Sequence, residues 1–338
     1  MSQFRRAVTA AAFGGGSIGA AGALFTGVLL GQALMARRVI PAAEAPPPRC
    51  GGRYGTEHAG EPVTVAVLGD SSAAGYGVHL PRDTPGALIA AGVAEQLSRP
   101  VRLHCFAVVG AESCDLPPQV EQAVETCPDV VVIIVGGNDV THRRSVPFAV
   151  GHLVRAVRDL RAAGAEVVVG TCPDLGAIRP IQPPLRWMAR RWSRQLAVAQ
   201  TVAVVEAGGR TVSLGDLLGP QFAAEPDRMF SFDRFHPSAD GYAAAAGALL
   251  PTVLAALQPG DEPCRLRAGE GVRSLPRAAV EAADRAGTEV SRTDIAGRER
   301  GPAGRWAQLR HRVWRRTEHP TDPAHVVLPG EPALTEGS

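Results

Sequence analysis

The fold is indicated most clearly by Val63-Thr64-Val65-Ala66-Val67-Leu68, which is followed by Gly69-Asp70-Ser71-Ser72. The first six residues are almost all apolar or β-branched, which is typical of a strand buried on both faces of a parallel sheet. The glycine then ends the strand and leaves Ser71 in a turn at the carboxyl end, where open parallel sheets bind ligands. Taken alone, this turn fits a catalytic serine, a phosphate-binding turn or the N-cap of a helix.

Short apolar runs and helical stretches alternate from this first strand to about Pro259. The runs that predict strands are Val63–Leu68, Val101–Val109, Val130–Val135, Val167–Gly170 and Thr211–Leu214. The stretches between them that predict helices are Pro85–Leu97, Val146–Ala162, Leu185–Val205 and Ser238–Leu257. Strands that alternate with helices predict a parallel sheet covered on both faces, and therefore an α/β fold.

The composition narrows the class of protein further. The chain has 338 residues, of which 45% are hydrophobic, enough for one α/β catalytic domain with appended segments. Its formal net charge is only +2, and all 35 of its basic residues are arginines. A chain this close to neutral is not typical of a dedicated nucleic-acid binder, so we expect no nucleic-acid partner.

The N-terminal segment is long and uncharged. No charged residue occurs from Ala7 to Ala36, and a pair of arginines borders each end. Since about 20 apolar residues span a bilayer, we predict one transmembrane helix within residues 1–40. The alternative is a secretion signal cleaved near Ala43 or Ala45, although the stretch exceeds the roughly 7–15 apolar residues of such signals. Residues 41–60, rich in Pro and Gly, predict a flexible linker before a catalytic domain at 61–260.

Beyond residue 260 the chain becomes polar and rich in Arg and Glu, which predicts a partly disordered extension over 261–338. Within it, Ala303–Arg316 has Trp306, Leu309 and Val313 near one helical face and fits a basic amphipathic helix at a membrane surface. A helix packed against the catalytic domain, or a disordered tail, are the alternatives.

The six cysteines include no CxxC pair, so neither a structural zinc site nor a thioredoxin-like centre is expected. In an oxidising compartment cysteines can pair. The candidate disulfide is Cys114 with Cys127, because both lie in one loop–helix stretch. No cluster of ligand-type residues indicates a bound metal or cofactor.

Three further segments place candidate catalytic residues at the ends of strands or in the final loop. Gly110 ends the second strand and offers an unobstructed N–H, while Asn138, in Gly136-Gly137-Asn138-Asp139, supplies a neutral donor after the third. His236 lies just before the last helix and is the type of side chain that takes a proton from a serine hydroxyl. Asp233, three residues earlier, fits a group that orients the imidazole.

Together these segments resemble the sequence blocks of the SGNH/GDSL hydrolase superfamily, in the same order and over about residues 61–259. The resemblance implies an SGNH or flavodoxin-like fold, a three-layer α/β/α sandwich with a central parallel sheet. One departure is that many relatives carry an Asn early in the strand of the second block. This chain instead reads Leu103-His104-Cys105-Phe106-Ala107 there.

The resemblance also assigns roles to the site residues. Ser71 is expected to be the nucleophile, His236 the general base and then acid, and Asp233 the group that orients His236. The backbone N–H groups of Ser71 and Gly110, with the Asn138 amide, would form the oxyanion hole. The family requires no metal and no cofactor.

The expected activity is therefore hydrolysis of a small-molecule or lipid acyl ester, or a thioester, through an acyl-enzyme intermediate. The alternatives are a carbohydrate O-acetyl esterase of the cell envelope and a catalytically silent binding module with the same fold. We expect a membrane-anchored protein with its catalytic domain outside the cytoplasm, or a secreted one if the leader is cleaved. The aromatic, Arg-rich stretch Ile181–Arg194 fits an acyl-pocket border or an anionic-lipid contact, or else simple packing on the domain.

Overall fold

A ten-stranded mixed sheet forms the centre of the computed structural model, which describes residues 23–36, 38, 46–215, 222, 225–258, 270–301 and 304–311. Its five central strands are parallel, in the spatial order β3-β2-β4-β5-β6. They are β2 (Val63–Gly69), β3 (Val101–Cys105), β4 (Val130–Ile134), β5 (Glu166–Gly170) and β6 (Arg210–Val212). The predicted α/β fold is thus confirmed.

The register explains where a ligand would bind. Val65 in β2 pairs with Leu103 of β3 on one side and with Val130 of β4 on the other. β3 therefore lies on one side of β2 and β4 on the other, so the strand order reverses at β2. In open parallel sheets the crevice at such a switch point, at the carboxyl ends of the strands, is the usual ligand site.

Helices cover both faces of the parallel strands because the side chains of each strand alternate between the faces. Val65 and Val67 join the core under α3 (Pro85–Leu97) and α9 (Ala239–Leu257). Ala66 and Leu68 point the other way and join a second core. The helices on that second face are α4 (Leu116–Glu125), α6 (Val146–Ala162) and α7 (Leu185–Glu206). The remaining helices described are α1 (Ala23–Ala36), α2 (Ser71–Ala74), α5 (Gly137–Thr141), α8 (Pro226–Met229) and α10 (Leu275–Ala283).

The predicted parallel sheet is present at the centre, but both edges of the sheet are antiparallel, which the prediction did not include. On one side β1 (Gly52–Tyr54) pairs with β3. On the other side β6 is followed by β8, β10 and β7, with β9 paired to β10. These four strands are β7 (Gly271–Ser274), β8 (Thr288–Arg292), β9 (Arg300–Gly301) and β10 (Gly304–His311). Segments outside the βα repeats supply these edges, and the periodicity of the repeats does not extend to them.

Two segments predicted to lie outside the domain belong to this sheet. Part of the linker predicted at 41–60 is β1, an ordered strand. The amphipathic helix predicted over Ala303–Arg316 is wrong where the structure describes it, because residues 304–311 form β10. Ala307 and Leu309 are buried on either side of the less buried Gln308, which is the two-residue period of a strand. Residues 303 and 312–316 lie outside the described part of the chain.

The part of the N-terminal segment that is described, α1, lies against the catalytic domain. The Gln32 side-chain amide donates to the Pro183 carbonyl at 2.5 Å, and its oxygen accepts the N–H of Leu185 at 3.1 Å. Among the described helices, only α9 is long and apolar enough to cross a bilayer, and more than half of it is buried in the core. Residues 1–22 lie outside the described ranges, so the transmembrane helix stays a prediction.

Candidate active site

Gly69 determines how Ser71 reaches the carboxyl edge of the sheet. Its φ is 130°, and a Cβ added there would lie 1.9 Å from the carbonyl oxygen of Ile134, so β2 and β4 approach closely only because this residue is glycine. The N–H of Asp70 donates to the same carbonyl oxygen at 3.0 Å. The Asp70 carboxylate then accepts the Ser72 N–H at 2.9 Å and caps α2, whose first residue is Ser71.

The structure brings Ser71, His236 and Asp233 into one hydrogen-bonded chain. The Ser71 hydroxyl lies 2.8 Å from Nε2 of His236, and Nδ1 of His236 lies 2.5 Å from Oδ2 of Asp233. Oδ1 of Asp233 accepts the backbone N–H groups of Phe235 and His236, each at 2.9 Å. The carboxylate is thus fully engaged and can hold only one orientation of the imidazole.

A tight loop between α8 and α9 holds His236 in place. The N–H of Ser231 donates to the His236 carbonyl at 2.8 Å, and Arg234 turns the chain with a positive φ of 55°. Two aromatic rings pack edge-on against the imidazole, Tyr76 at 4.7 Å and Phe235 at 4.9 Å between ring centroids. These contacts restrict rotation of the imidazole away from the serine.

Asn138 and Gly110 lie on neighbouring loops at the same edge of the sheet. Asn138 is in the first turn of α5, directly after β4, and lines the same pocket as Ser71. Its amide donates to the carbonyl of Ala111 at 2.9 Å and so ties the third loop to the second. Gly110, with φ of 84°, precedes Ala111 on that second loop.

Two buried glutamines support these loops, and the sequence reasoning missed both. Gln119, on α4, accepts the Gly69 N–H at 2.7 Å and donates to the Gly69 carbonyl at 3.1 Å. Gln200, on α7, accepts the N–H of Cys172 at 2.7 Å and donates to the Val135 carbonyl at 3.0 Å. A polar side chain on the largely apolar, buried face of a helix is the signal that would have identified them.

Acidic side chains connect the second loop to α5. The Asp139 carboxylate accepts the N–H and the hydroxyl of Ser113, at 3.1 and 2.9 Å. Glu112 forms an ion pair with Arg144 and a 2.9 Å contact with Nδ1 of His142. The hydrogen bond with Arg144 lowers the pKa of Glu112, whereas burial raises the pKa of Asp139. This network fixes the relative position of the two loops.

Asp70 and Asp233 are both buried, but their environments shift their pKa values in opposite directions. Burial raises the pKa of Asp70 to about 6, and the Ser72 N–H and the charge of His236 offset only part of that effect. Burial also acts to raise the pKa of Asp233. There the hydrogen bonds and charge of His236, with the backbone N–H groups, outweigh burial and lower the pKa. Asp233 therefore remains a carboxylate beside the imidazole.

A small apolar cavity of about 60 Å³ opens beside Ser71. Its apolar lining residues include Ile134, Leu175, Ile178, Leu214 and Phe222. A wider cleft of about 480 Å³ lies next to it under α1, and Leu175 and Phe235 line both spaces.

The two tryptophans of Ile181–Arg194 lie in different environments. Trp192 packs against the core that contains Leu175 and lines the cleft under α1. Trp187 is 66% exposed and points to solvent. The stretch therefore packs on the domain and borders the wider cleft under α1, not the cavity beside Ser71.

All five cysteines in the described residues are free thiols, and the positions of Cys114 and Cys127 contradict the candidate disulfide between them. The two cysteines flank α4, which holds their backbones at least about 15 Å apart at 1.5 Å per residue. A disulfide requires Cα atoms within about 7 Å of each other. In the described part of the chain no three His, Cys, Asp or Glu side chains group together as metal ligands do.

A serine hydroxyl hydrogen-bonded to a histidine–aspartate pair, at the carboxyl edge of a parallel sheet, is the arrangement of a serine hydrolase. The sequence profile of the GDSL-like lipase/acylhydrolase family matches residues 67–244. The chain is also 44% identical over 250 residues to a GDSL-like esterase of Mycobacterium tuberculosis, covering 69% of this chain and 79% of the relative. The protein therefore belongs to the GDSL-like lipase/acylhydrolase family.

Solved structures of esterases are similar to the chain at lower identity. The esterase EstA from Pseudoalteromonas is 18% identical, with a TM-score of 0.46, over 56% of this chain and 98% of that one. The acetylxylan esterase Axe2 from Geobacillus stearothermophilus is 16% identical, with a TM-score of 0.43, over 60% of this chain and 97% of that one.

The raised pKa of Asp70 predicts a specific pH dependence of stability. The folded protein holds the Asp70 proton up to about pH 6, whereas the unfolded chain releases it near 3.8, so ionisation of Asp70 destabilises the fold as pH rises. Relative to wild type, Asp70→Asn should gain about 2 kcal/mol of unfolding free energy between about pH 4.5 and 7.5. Urea unfolding of both proteins at the two pH values measures this difference.

Asp233→Asn is the matched control. The lowered pKa of Asp233 places its stabilising contribution above the unfolded value of 3.8, and that contribution is lost only as pH falls below it. The difference between this variant and wild type should stay nearly constant between about pH 4.5 and 7.5. Parallel profiles for Asp70→Asn and wild type would contradict the assignment of a raised pKa to Asp70.

Proposed function

We propose that this protein hydrolyses short-chain acyl esters through an acyl-enzyme intermediate on Ser71. The observation that carries the proposal is the 2.8 Å contact between the Ser71 hydroxyl and Nε2 of His236, with Asp233 bound to the opposite ring nitrogen. A serine hydroxyl does not ionise near pH 7, and an adjacent general base is what makes it a nucleophile.

In this mechanism His236 accepts the Ser71 proton as the serine oxygen attacks the ester carbonyl carbon. Asp233, kept ionised by its lowered pKa, stabilises the resulting imidazolium and holds its Nδ1–H. His236 then donates the proton to the departing alcohol, leaving the acyl group on Ser71. Water, deprotonated by His236, attacks the acyl-enzyme and regenerates the serine. A thioester would follow the same path with a thiol as the leaving group.

The oxyanion of the tetrahedral intermediate would be held by the N–H groups of Ser71 and Gly110 and by Asn138. A primary amide has two N–H donors, and the one that Asn138 directs to Ala111 orients the other. Because these donors are neutral and fixed by the loops, they stabilise developing negative charge without first reorganising.

The cavity beside Ser71 favours a short acyl group. Its volume of about 60 Å³ is well below the roughly 300–1,000 Å³ of sites that enclose drug-sized ligands. An acetyl group has the size that this cavity accommodates, so a carbohydrate O-acetyl esterase is the second candidate function. The wider cleft under α1 would then receive the alcohol portion of the substrate.

We extend the proposal to a membrane-anchored protein whose catalytic domain lies outside the cytoplasm. Support comes from the uncharged N-terminal stretch and from exposed apolar side chains on α1, among them Leu24 and Leu34. Exposed apolar surface of this kind usually marks an interaction site. Met35 on α1 lines a cleft together with the exposed Phe232 and with Arg234, close to the candidate catalytic histidine. A bilayer at this surface would lie next to the active site.

A fluorophosphonate probe tests the nucleophile. Wild type should be labelled covalently, and Ser71→Ala should lose labelling because the probe reacts only with an activated serine hydroxyl. His236→Ala should lower kcat for p-nitrophenyl acetate by at least about 10³-fold, as the loss of a triad member does. Ser72→Ala, which removes the neighbouring hydroxyl, is the control and should keep its labelling. A folded wild-type protein that is never labelled would support the silent binding module instead.

Acyl-chain selectivity tests the cavity. Ile178 lines it and is almost fully buried, so Ile178→Ala should enlarge the space for the acyl chain. The ratio of kcat/KM for hexanoate over acetate p-nitrophenyl esters should rise by about 10-fold or more. Val157→Ala, a truncation in the core on the other face of the sheet, should leave the ratio unchanged. An unchanged ratio in Ile178→Ala would place the acyl group elsewhere.

Topology fusions test the anchor and its side. Alkaline phosphatase fused after Ser338 should be active and should sediment with membranes, because the enzyme matures only outside the cytoplasm. A fluorescent protein that folds only in the cytoplasm, fused at the same position, should stay dark. Soluble phosphatase in the medium, with an N-terminus near Ala43 or Ala45, would indicate a cleaved leader. An inactive phosphatase with a fluorescent partner would place the domain in the cytoplasm.

A further inference from the structure

Cys50 and Cys105 face each other across the edge of the sheet. In the antiparallel pair of β1 and β3, Gly52 lies opposite Leu103 and Tyr54 opposite Val101. Continuing this register by two residues places Cys50 directly opposite Cys105. Directly opposed residues in such a ladder have Cα atoms about 4.5–5.5 Å apart, within the range that a disulfide spans.

The side chains of the two cysteines also point to the same face. Residues two apart on a strand share a face, so Cys50 follows Gly52 and Tyr54, and Cys105 follows Leu103. Cys50, Tyr54 and Leu103 are all buried in one core, and Cys105 packs against that core. The interaction with Cys105 lowers the pKa of Cys50 to about 7.

Neighbouring groups hold Cys50 in this position. The Tyr54 hydroxyl donates to the Cys50 carbonyl at 2.6 Å, which fixes the backbone two residues before β1. The Cys50 sulfur lies over the first turn of α3, 3.4 Å from the position that a Cβ on Gly86 would occupy. Cys50 is 1% exposed, whereas Cys105 is only partly buried. An oxidant therefore reaches the pair from the Cys105 side.

We propose that Cys50 and Cys105 are a disulfide-forming pair that covalently fastens β1, and with it the N-terminal segment, to the edge of the catalytic sheet. The oxidant is a disulfide such as glutathione disulfide. Cys105 attacks it and releases one glutathione, and the Cys50 thiolate then attacks the Cys105 sulfur and releases the second. The dithiol loses two electrons and two protons, and both glutathiones leave as reduced thiols. The link is independent of the proposed ester hydrolysis.

Peptide mapping of the intact, folded chain tests the pair directly. Reduced protein is incubated with glutathione disulfide, remaining thiols are alkylated, and the protein is digested with trypsin and a Glu-specific protease without reduction. Residues 50–53 should appear joined to residues 103–112, a fragment that contains Cys105 but neither Cys114 nor Cys127. Separate glutathione adducts on Cys50 and Cys105, or two alkylated thiols, would overturn the proposal.

Thermal unfolding supplies a second measurement. Closing the loop between residues 50 and 105 should raise the Tm of oxidised wild type above that of the reduced protein by about 5–10 °C. Cys50→Ser and Cys105→Ser should each abolish this redox-dependent difference, and the double variant Cys114→Ser/Cys127→Ser should retain it. If the serine variants do not fold, Cys50→Ala and Cys105→Ala replace them. A shift that persists without Cys50 or Cys105 would contradict the assignment.

Discussion

The close contact between Gly69 and the Ile134 carbonyl is the constraint on which the site depends. It lets β2 and β4 approach at their carboxyl ends, and it places Asp70 and Ser71 directly beside the loop that follows β4. Any side chain at position 69 would separate the two strands. Ser71 would then move away from Asn138, although neither residue had changed.

Neutral amides hold the loops around this contact, and the network of Asp139 and Glu112 adds to them. Gln119 holds the backbone of Gly69, Gln200 bridges Val135 and Cys172, and Asn138 binds Ala111. A buried amide satisfies a backbone donor and acceptor together without the desolvation cost of a charge. Two of the buried acidic side chains, Asp70 and Asp233, lie next to Ser71 or His236, where their charge acts on the groups of the proposed chemistry.

The centre of the fold could be predicted from the sequence, and the edges could not. Buried parallel strands such as Val130–Ile134 are continuous β-branched runs, and helices such as Pro85–Leu97 begin at clear caps, so local patterns suffice. The strand at 304–311 has only two fully buried residues and a spacing that also fits a helix, so its partner decides its structure. The disulfide candidate was wrong because it relied on nearness in sequence, whereas Cys50 and Cys105 meet through strand pairing. The site motifs identified Ser71 and His236, but not the glutamines that support the loops.

The edge strands also make the described part of the C-terminal region a part of the sheet. β6 has only three residues, and an unpaired edge there would expose backbone donors and acceptors to other chains. β8 pairs with it, and Val290 and Leu309 share a core with Val205 of α7, a helix of the catalytic domain. Residues 270–301 and 304–311 therefore complete the sheet and are not an appended segment, since their apolar side chains have no other core in the described chain. A domain boundary near residue 260 would cut through this folded unit.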